Sequence, residues 1–184
     1  MKGIHPIEEN QIQEAITKFL INFPFFAGLN EDELSIIAEH LDFLELDNNT
    51  TIVREYEPGD CVYFVIDGEL EVFKESVGGR KAGVDHVVLN RLIKGSSFGE
   101  IAIIDDYPRS ASVRASARTT VVSLNRSGFD QILEGYPKIG VKLLKEFSRI
   151  ICRQLRRITA KYADNSLNEA QEVDLDKFEI QRDY

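Results

Sequence analysis

The residues able to do chemistry gather in one stretch, Phe98 to Ala115, FGEIAIIDDYPRSASVRA. Gly99 lets backbone pass close to a ligand, and the start of a short helix points free N–H groups at an anion. Glu100 stands beside that glycine and suits a sugar hydroxyl rather than a phosphate. Arg109 follows a few residues later with a planar fork that can clamp two oxygens of a phosphate. Together these residue types read as a pocket for a phosphorylated sugar.

Other chemistries find little footing. The two cysteines, Cys61 and Cys152, are far apart, each among apolar or mixed residues, and no Cys-x-x-Cys occurs. They are expected to be reduced and buried or half-buried. His5, His40 and His86 stand at unrelated spacings, which suggests neither a zinc site nor a nucleophilic constellation. No metal and no catalytic group is therefore expected, and the chain does not read as an enzyme. A formal net charge of −9 and a pI near 4.9 argue against non-specific nucleic-acid binding, which needs a basic face. A small anion can still bind, because the local field in a pocket outweighs the net charge. The opening MKGIHPIEENQ lacks the apolar core of a signal peptide, and no apolar run approaches membrane-spanning length. The expected compartment is cytoplasmic, without membrane insertion.

The elements that must hold the stretch follow from periodicity. At 184 residues the chain suits one domain with appended helices. Ile12, Ala15, Ile16, Phe19 and Leu20 predict a helix within Ile7 to Phe23 that Pro24 ends. A second helix is predicted from about Glu31 to Leu44, with Asn30 and Glu33 as its cap and Leu34, Ile37, Ala38 and Leu41 as its apolar stripe. From Phe43 the period changes to alternation. Glu57-Pro-Gly-Asp60 is a turn, Val62 to Ile66 a strand, and Asp67-Gly68 a tight hairpin turn into a partner strand through Leu70 and Val72. Gly78 to Gly83 reads as a hairpin tip; His86 to Ile93, Ser112 to Ala115 and Thr119 to Leu124 are further strands. Short strands punctuated by Gly and Pro indicate a closed or double-sheet β architecture. The expected fold is mainly β, a jelly-roll-like β-roll with flanking helices. Its parts are a helical segment 1–44, a roll 45–125 carrying the stretch 98–115, C-terminal helices 126–163 and an acidic tail 164–184.

The helical period returns at Arg126, where Ser127 is a candidate cap for a short helix holding Phe129, Ile132 and Leu133. Pro137 then opens a long helix to about Tyr162. Leu144, Ile151 and Ile158 recur every seven residues, with Leu155 and Tyr162 between them, and Leu143, Phe147 and Ile150 form a second row. Either both rows cover the β core, or one forms a helix–helix seam with a second subunit, a homodimer through 137–162. The same helix carries Lys142, Lys145, Arg149, Arg153, Arg156, Arg157 and Lys161 against only Glu146. A solvated face accounts for such a run. The tail from Asp164 to Tyr184 is polar and mostly acidic, and is expected to be disordered or loosely docked.

Three motifs stand in order: FPFFAGLNEDEL (Phe23 to Leu34), EPGDCVYFVIDGELEVF (Glu57 to Phe73) and FGEIAIIDDYPRSASVRA. From about Phe23 to Tyr162 the chain resembles the cyclic nucleotide-binding domain family, which includes the bacterial catabolite activator and regulatory subunits of cyclic-AMP-dependent kinase. The last motif is similar to that family's phosphate-binding cassette. The resemblance implies that Phe98 and Gly99 open the cassette and that Glu100 accepts from the ribose 2′-hydroxyl. Arg109 would pair with the exocyclic phosphate oxygens, and N–H groups around Ile101, Ala102, Ser110 and Ala111 would complete the cradle. An ion pair between Arg109 and Glu100 that merely fixes the loop is the plainer alternative.

The resemblance also implies that Val72 and Leu89 line the purine pocket from the roll, though both are equally ordinary β core. The long helix would cover the base, with Arg156, Arg157 or Thr159 supplying a polar contact. By family analogy a threonine at position 110 favours cyclic GMP; serine shares the hydroxyl, and the reading leans to cyclic AMP. No helix-turn-helix follows Tyr162, so direct DNA reading is not expected. The implied function is a ligand sensor whose last helices move when the pocket fills, signalling to an unnamed protein effector or across a dimer seam. The alternative is an interaction domain that keeps the fold without nucleotide dependence.

Overall fold

The computed structural model describes residues 16–75, 86–105 and 107–179, as backbone alone at residue 161 and from 164 onward. The chain divides into two compact units, Met1–Leu143 and Leu144–Tyr184.

The first unit is built on strands β1 (Leu41–Leu46), β2 (Thr51–Val53), β3 (Cys61–Asp67), β4 (Glu69–Glu75), β5 (His86–Ile93), β6 (Ser97–Phe98), β7 (Ser112–Ala115) and β8 (Thr119–Asn125). They form two four-stranded antiparallel sheets, ordered β1-β8-β3-β6 and β2-β7-β4-β5. Alternation along each strand sends one set of side chains between the sheets, where Leu46, Val65, Leu70, Leu92, Phe98, Val113 and Val121 make the core. The architecture is the β-roll with flanking helices that the strand pattern indicates.

Helices cover the outer side of the first sheet. Helix α1, described over 16–21, leads into a short 3-10 turn at Pro24–Phe26. Phe23, Phe25 and Phe26 set their rings 5.0–5.6 Å from Phe64 on β3, and Phe64 is wholly buried. Each such ring stabilises the unit by roughly 1.5–3 kcal/mol through apolar burial. Helix α2 (Glu31–Ala38) starts on a capping box: Asn30 Oδ1 accepts from the Glu33 N–H at 2.9 Å, and the Glu33 carboxylate accepts from the Asn30 N–H at 3.0 Å. Lys142 donates to the same carboxylate and holds it below the usual carboxylate range. Helices α3 (Glu100–Ile104) and α4 (Arg126–Gly135) complete the unit with the first residues of α5 (Pro137–Glu179).

Several expectations need correction. Helix α2 stops at Ala38, and Leu41 opens β1 instead of completing a helical stripe. Leu41 to Leu46 pair with β8 residue for residue, so sheet hydrogen bonds outweigh the local helical spacing. Asp67-Gly68 is not a hairpin turn. Strands β3 and β4 belong to different sheets, and the single residue between them, Gly68 at φ 89°, carries the chain around a corner. There the Glu69 N–H donates to Thr119 Oγ1 at 3.1 Å rather than to β3. The hairpin of β4 and β5 does form, while its tip, 76–85, lies outside the described residues. The cap of α4 is Asn125, whose Oδ1 accepts from the Gly128 N–H at 2.8 Å, not Ser127. Cys61 is half-buried as expected, but Cys152 is exposed; both are free thiols.

The second unit is helical. The backbone of α5 continues past Tyr162 to Glu179, through most of the stretch expected to be a loose tail. Along it the two apolar rows part company. Phe147 is buried, whereas Leu144, Leu155, Ile158 and Tyr162 are 38%, 63%, 52% and 71% exposed. Lys145, Arg149, Arg153, Arg156 and Arg157 are exposed, as the solvated-face reading predicts. Among the described residues no helix is long and apolar enough to cross a membrane.

Candidate functional site

Strand β6 delivers Phe98 into the inter-sheet core, and the chain then turns at Gly99 with φ 83°, a conformation that disfavours any side chain. Helix α3 begins at once, so Glu100 lies in its first turn, where N–H groups lack intrahelical acceptors and a carboxylate is favoured. Glu100 is nevertheless 3% exposed, unusual for a glutamate. After α3 the chain returns along Pro108 to Arg109. Two backbone hydrogen bonds fasten this return: Tyr56 N–H to Arg109 O and Arg109 N–H to Glu57 O, both 2.9 Å. Tyr56 sits at φ 67°, a left-handed conformation that costs an aromatic residue about 1–2 kcal/mol and is held by this contact.

The guanidinium of Arg109 is 8% exposed and occupies a slot walled by glycine. A Cβ on Gly59 would lie 2.6 Å from Arg109 Cζ and 2.7 Å from Ala102 Cβ. One on Gly99 would lie 2.6 Å from Arg109 Nη1 and 2.8 Å from Cys61 O. Tyr63 on β3 lies beneath, its ring centroid 5.8 Å from Arg109 Cζ, and stacks on Phe98 at 4.9 Å and 18°. Burial pushes the Tyr63 phenol up to about 12, against the pull of Arg109, so the ring is neutral. Burial, then Asp60, which accepts from the thiol at 3.1 Å, pushes Cys61 up to about 11.

Within this slot Arg109 is under-used. Among the described residues its guanidinium makes one hydrogen bond, a long one of 3.4 Å from Nη1 to Gly99 O, and no ion pair. The loop-fixing ion pair with Glu100 is therefore not formed. A buried cation with open donors costs several kcal/mol unless an anion joins it. The N–H groups of Ser110 and Ala111 likewise have no protein acceptor among the described residues. The arrangement can receive a small dianion or phosphodiester in plane with the fork.

The structure thus brings together Phe98, Gly99, Glu100, Ala102 and Arg109, with Ser110 exposed and Ala111 half-buried at the rim. Ile101 points outward at 42% exposure. Val72 is half-buried and packs on the inter-sheet core, as ordinary β core would. Leu89 is 46% exposed and falls at the register irregularity of β4 and β5, between the pairs Val88–Phe73 and Asn90–Val72. Arg157 and Thr159 belong to the helical unit and are exposed; Thr159 Oγ1 donates to Leu155 O at 3.0 Å. No group of three metal-ligating side chains occurs among the described residues.

Sequence reasoning missed three residues. Gly59 was read as a turn only, Tyr63 as strand, and Arg126 as the start of a helix. Arg126 Nη2 donates to Ala102 O at 2.6 Å and Nη1 to Ile103 O at 3.4 Å, closing the C-terminal end of α3 from the first residue of α4. The order of the motifs signalled none of these contacts, since each joins residues far apart in the chain.

Comparison with known proteins is consistent across sequence and structure. A profile described as "Cyclic nucleotide-binding domain" matches residues 43–136. A cAMP-dependent protein kinase regulatory subunit of Emericella nidulans is 37% identical over 115 residues, covering 62% of this chain and 26% of that protein. The chain thus spans about a quarter of the length of such relatives. A cyclic nucleotide-binding domain from Methylobacillus flagellatus superposes with a TM-score of 0.72 at 22% identity, covering 88% of each chain. The regulatory domain of Toxoplasma gondii PKA, solved with cAMP, superposes with a TM-score of 0.63 at 25% identity over 76% of this chain and 51% of that one.

Proposed function

The chain belongs to the cyclic nucleotide-binding domain family, and from that premise we propose that it is a cyclic AMP sensor whose C-terminal helices respond when the pocket fills. The observation that carries this is Arg109: a buried guanidinium with open donors, walled by Gly59 and Gly99 and standing beside the buried Glu100. In this reading Arg109 clamps the exocyclic phosphate, Glu100 accepts from the ribose 2′-hydroxyl, and the N–H groups of Ser110 and Ala111 take the remaining phosphate oxygen. Val72 and Leu89 line the base from the roll. Cyclic AMP is preferred over cyclic GMP because the exposed Ser110 replaces the threonine that favours guanine. The relatives being kinase regulatory subunits supports a regulatory rather than a catalytic role.

Arg126 supports the signalling half of the proposal. Its guanidinium holds Ala102 O and Ile103 O while its backbone begins α4, and its N–H donates to Asp60 O at 2.7 Å. Movement of α3 on phosphate binding therefore pulls directly on α4. To favour the filled state a hundredfold the ligand must supply about 2.7 kcal/mol of differential binding. The output is an effector surface or a homodimer seam on α5, and the protein works in the cytoplasm.

Isothermal titration with cyclic AMP and cyclic GMP tests the reading. Wild type should bind cyclic AMP more tightly. Arg109→Ala should weaken binding about 100-fold, the loss of about 3 kcal/mol for a charge-assisted contact. No binding of either nucleotide below millimolar concentration would reject it.

A further inference from the structure

We propose that Tyr63 is a positioning residue for phosphate recognition: its ring sets the plane in which Arg109 presents its fork. The proposal rests on the reading of Arg109 as the phosphate ligand. Arg109 has one long hydrogen bond to Gly99 O and no ion pair among the described residues, so polar contacts do not hold the guanidinium in plane. What remains is shape. Gly59 and Gly99 leave room but supply no side chain, whereas the Tyr63 ring lies 5.8 Å from Cζ, within cation–π range.

The platform is itself anchored. Tyr63 pairs with Phe98 across β3 and β6, and the two rings stack nearly parallel. Phe98 is buried in the inter-sheet core and immediately precedes Gly99, so the pair of rings ties the entry of the cassette to its exit at Arg109. A bidentate contact requires the guanidinium to be coplanar with two phosphate oxygens, so tilting costs affinity without removing the charge. The contact needs the ring face and not the hydroxyl, which stays protonated. Tyr63→Phe should therefore preserve the function, and Tyr63→Leu should not.

Two readouts test this. Affinities for cyclic AMP and for adenosine, which lacks the phosphate, are measured by calorimetry on wild type, Tyr63→Phe and Tyr63→Leu. Tyr63→Leu should weaken cyclic AMP about tenfold while adenosine changes less than about twofold, and Tyr63→Phe should restore the wild-type value. Equal losses for both ligands, or a Phe variant as weak as Leu, would overturn the proposal. Second, the Arg109 Nε–H resonance of the ligand-free protein should lie upfield in wild type and Tyr63→Phe, through the ring current, and move downfield in Tyr63→Leu. An unmoved resonance also overturns it. If wild type binds no cyclic nucleotide, the sensor reading fails, and this resonance alone decides the Tyr63 contact. Should Tyr63→Leu not fold, Tyr63→Met carries both comparisons.

Discussion

A buried guanidinium is expensive to leave unpaired, and Arg109 is placed where the protein supplies only one weak acceptor. That imbalance is what supports the proposed binding role of Arg109. Arg114, by contrast, is satisfied: it donates to Glu71 Oε2 at 3.2 Å and lies over the Phe73 ring at 5.0 Å. The neighbours of Arg109 are tuned in the same way. Cys61 stands close to the cation yet is held as a thiol, because burial and the Asp60 carboxylate outweigh Arg109. At pH 8 its thiolate fraction is about a hundredfold below that of a thiol with the ordinary value of 9.0. Limited alkylation followed by peptide mass spectrometry should modify the exposed Cys152 first, with Cys61 lagging by more than tenfold. Equal rates would contradict the burial of Cys61.

At the scale of elements, the proposed signalling makes the short helix α3 its joint. Its N-terminal end abuts Arg109 through Gly99, and its C-terminal carbonyls are held by Arg126. A helix of five residues has little stability of its own, so contacts at its two ends decide where it lies. The strained Tyr56, bonded to Arg109 O, adds a third fixed point. Arg126→Gln should leave cyclic AMP affinity within about threefold, while abolishing the ligand-induced change in amide hydrogen exchange that wild type shows across α4. A variant whose α4 still responds in full would show that coupling takes another route.

At the scale of the molecule, α5 presents an exposed apolar row. Leu155, Ile158 and Tyr162 are each more than half exposed at coiled-coil spacing, a costly display for a monomer in water. A second copy packing row against row would bury them, which is the homodimer proposed above. Sedimentation equilibrium should find a dimer that Leu155→Asp with Ile158→Asp converts to monomer, with nucleotide affinity retained. A wild type that remains monomeric at about 100 µM would remove the seam and leave an effector surface as the output.

The order of most elements was legible in the sequence, because it rests on local codes. The β run at His86–Ile93 and the Asn30–Glu33 capping box depend only on neighbours in the chain, and both are found as read. Gly99, read only as permitting close approach of the backbone, takes a left-handed turn that its lack of a side chain allows. What local patterns did not decide were the contacts between distant segments. Asp67-Gly68 has the composition of a hairpin, and only the pairing of β3 with β8 and of β4 with β7 makes it a corner. Leu41 fits a helical stripe until β8 offers it a ladder. The sequence by itself determined a β-roll with flanking helices and put a glutamate and an arginine together in one of its stretches. Only the tertiary structure decided that Arg109 is buried, walled by Gly59 and floored by Tyr63, because burial and ring contacts arise when segments remote in sequence close upon one another.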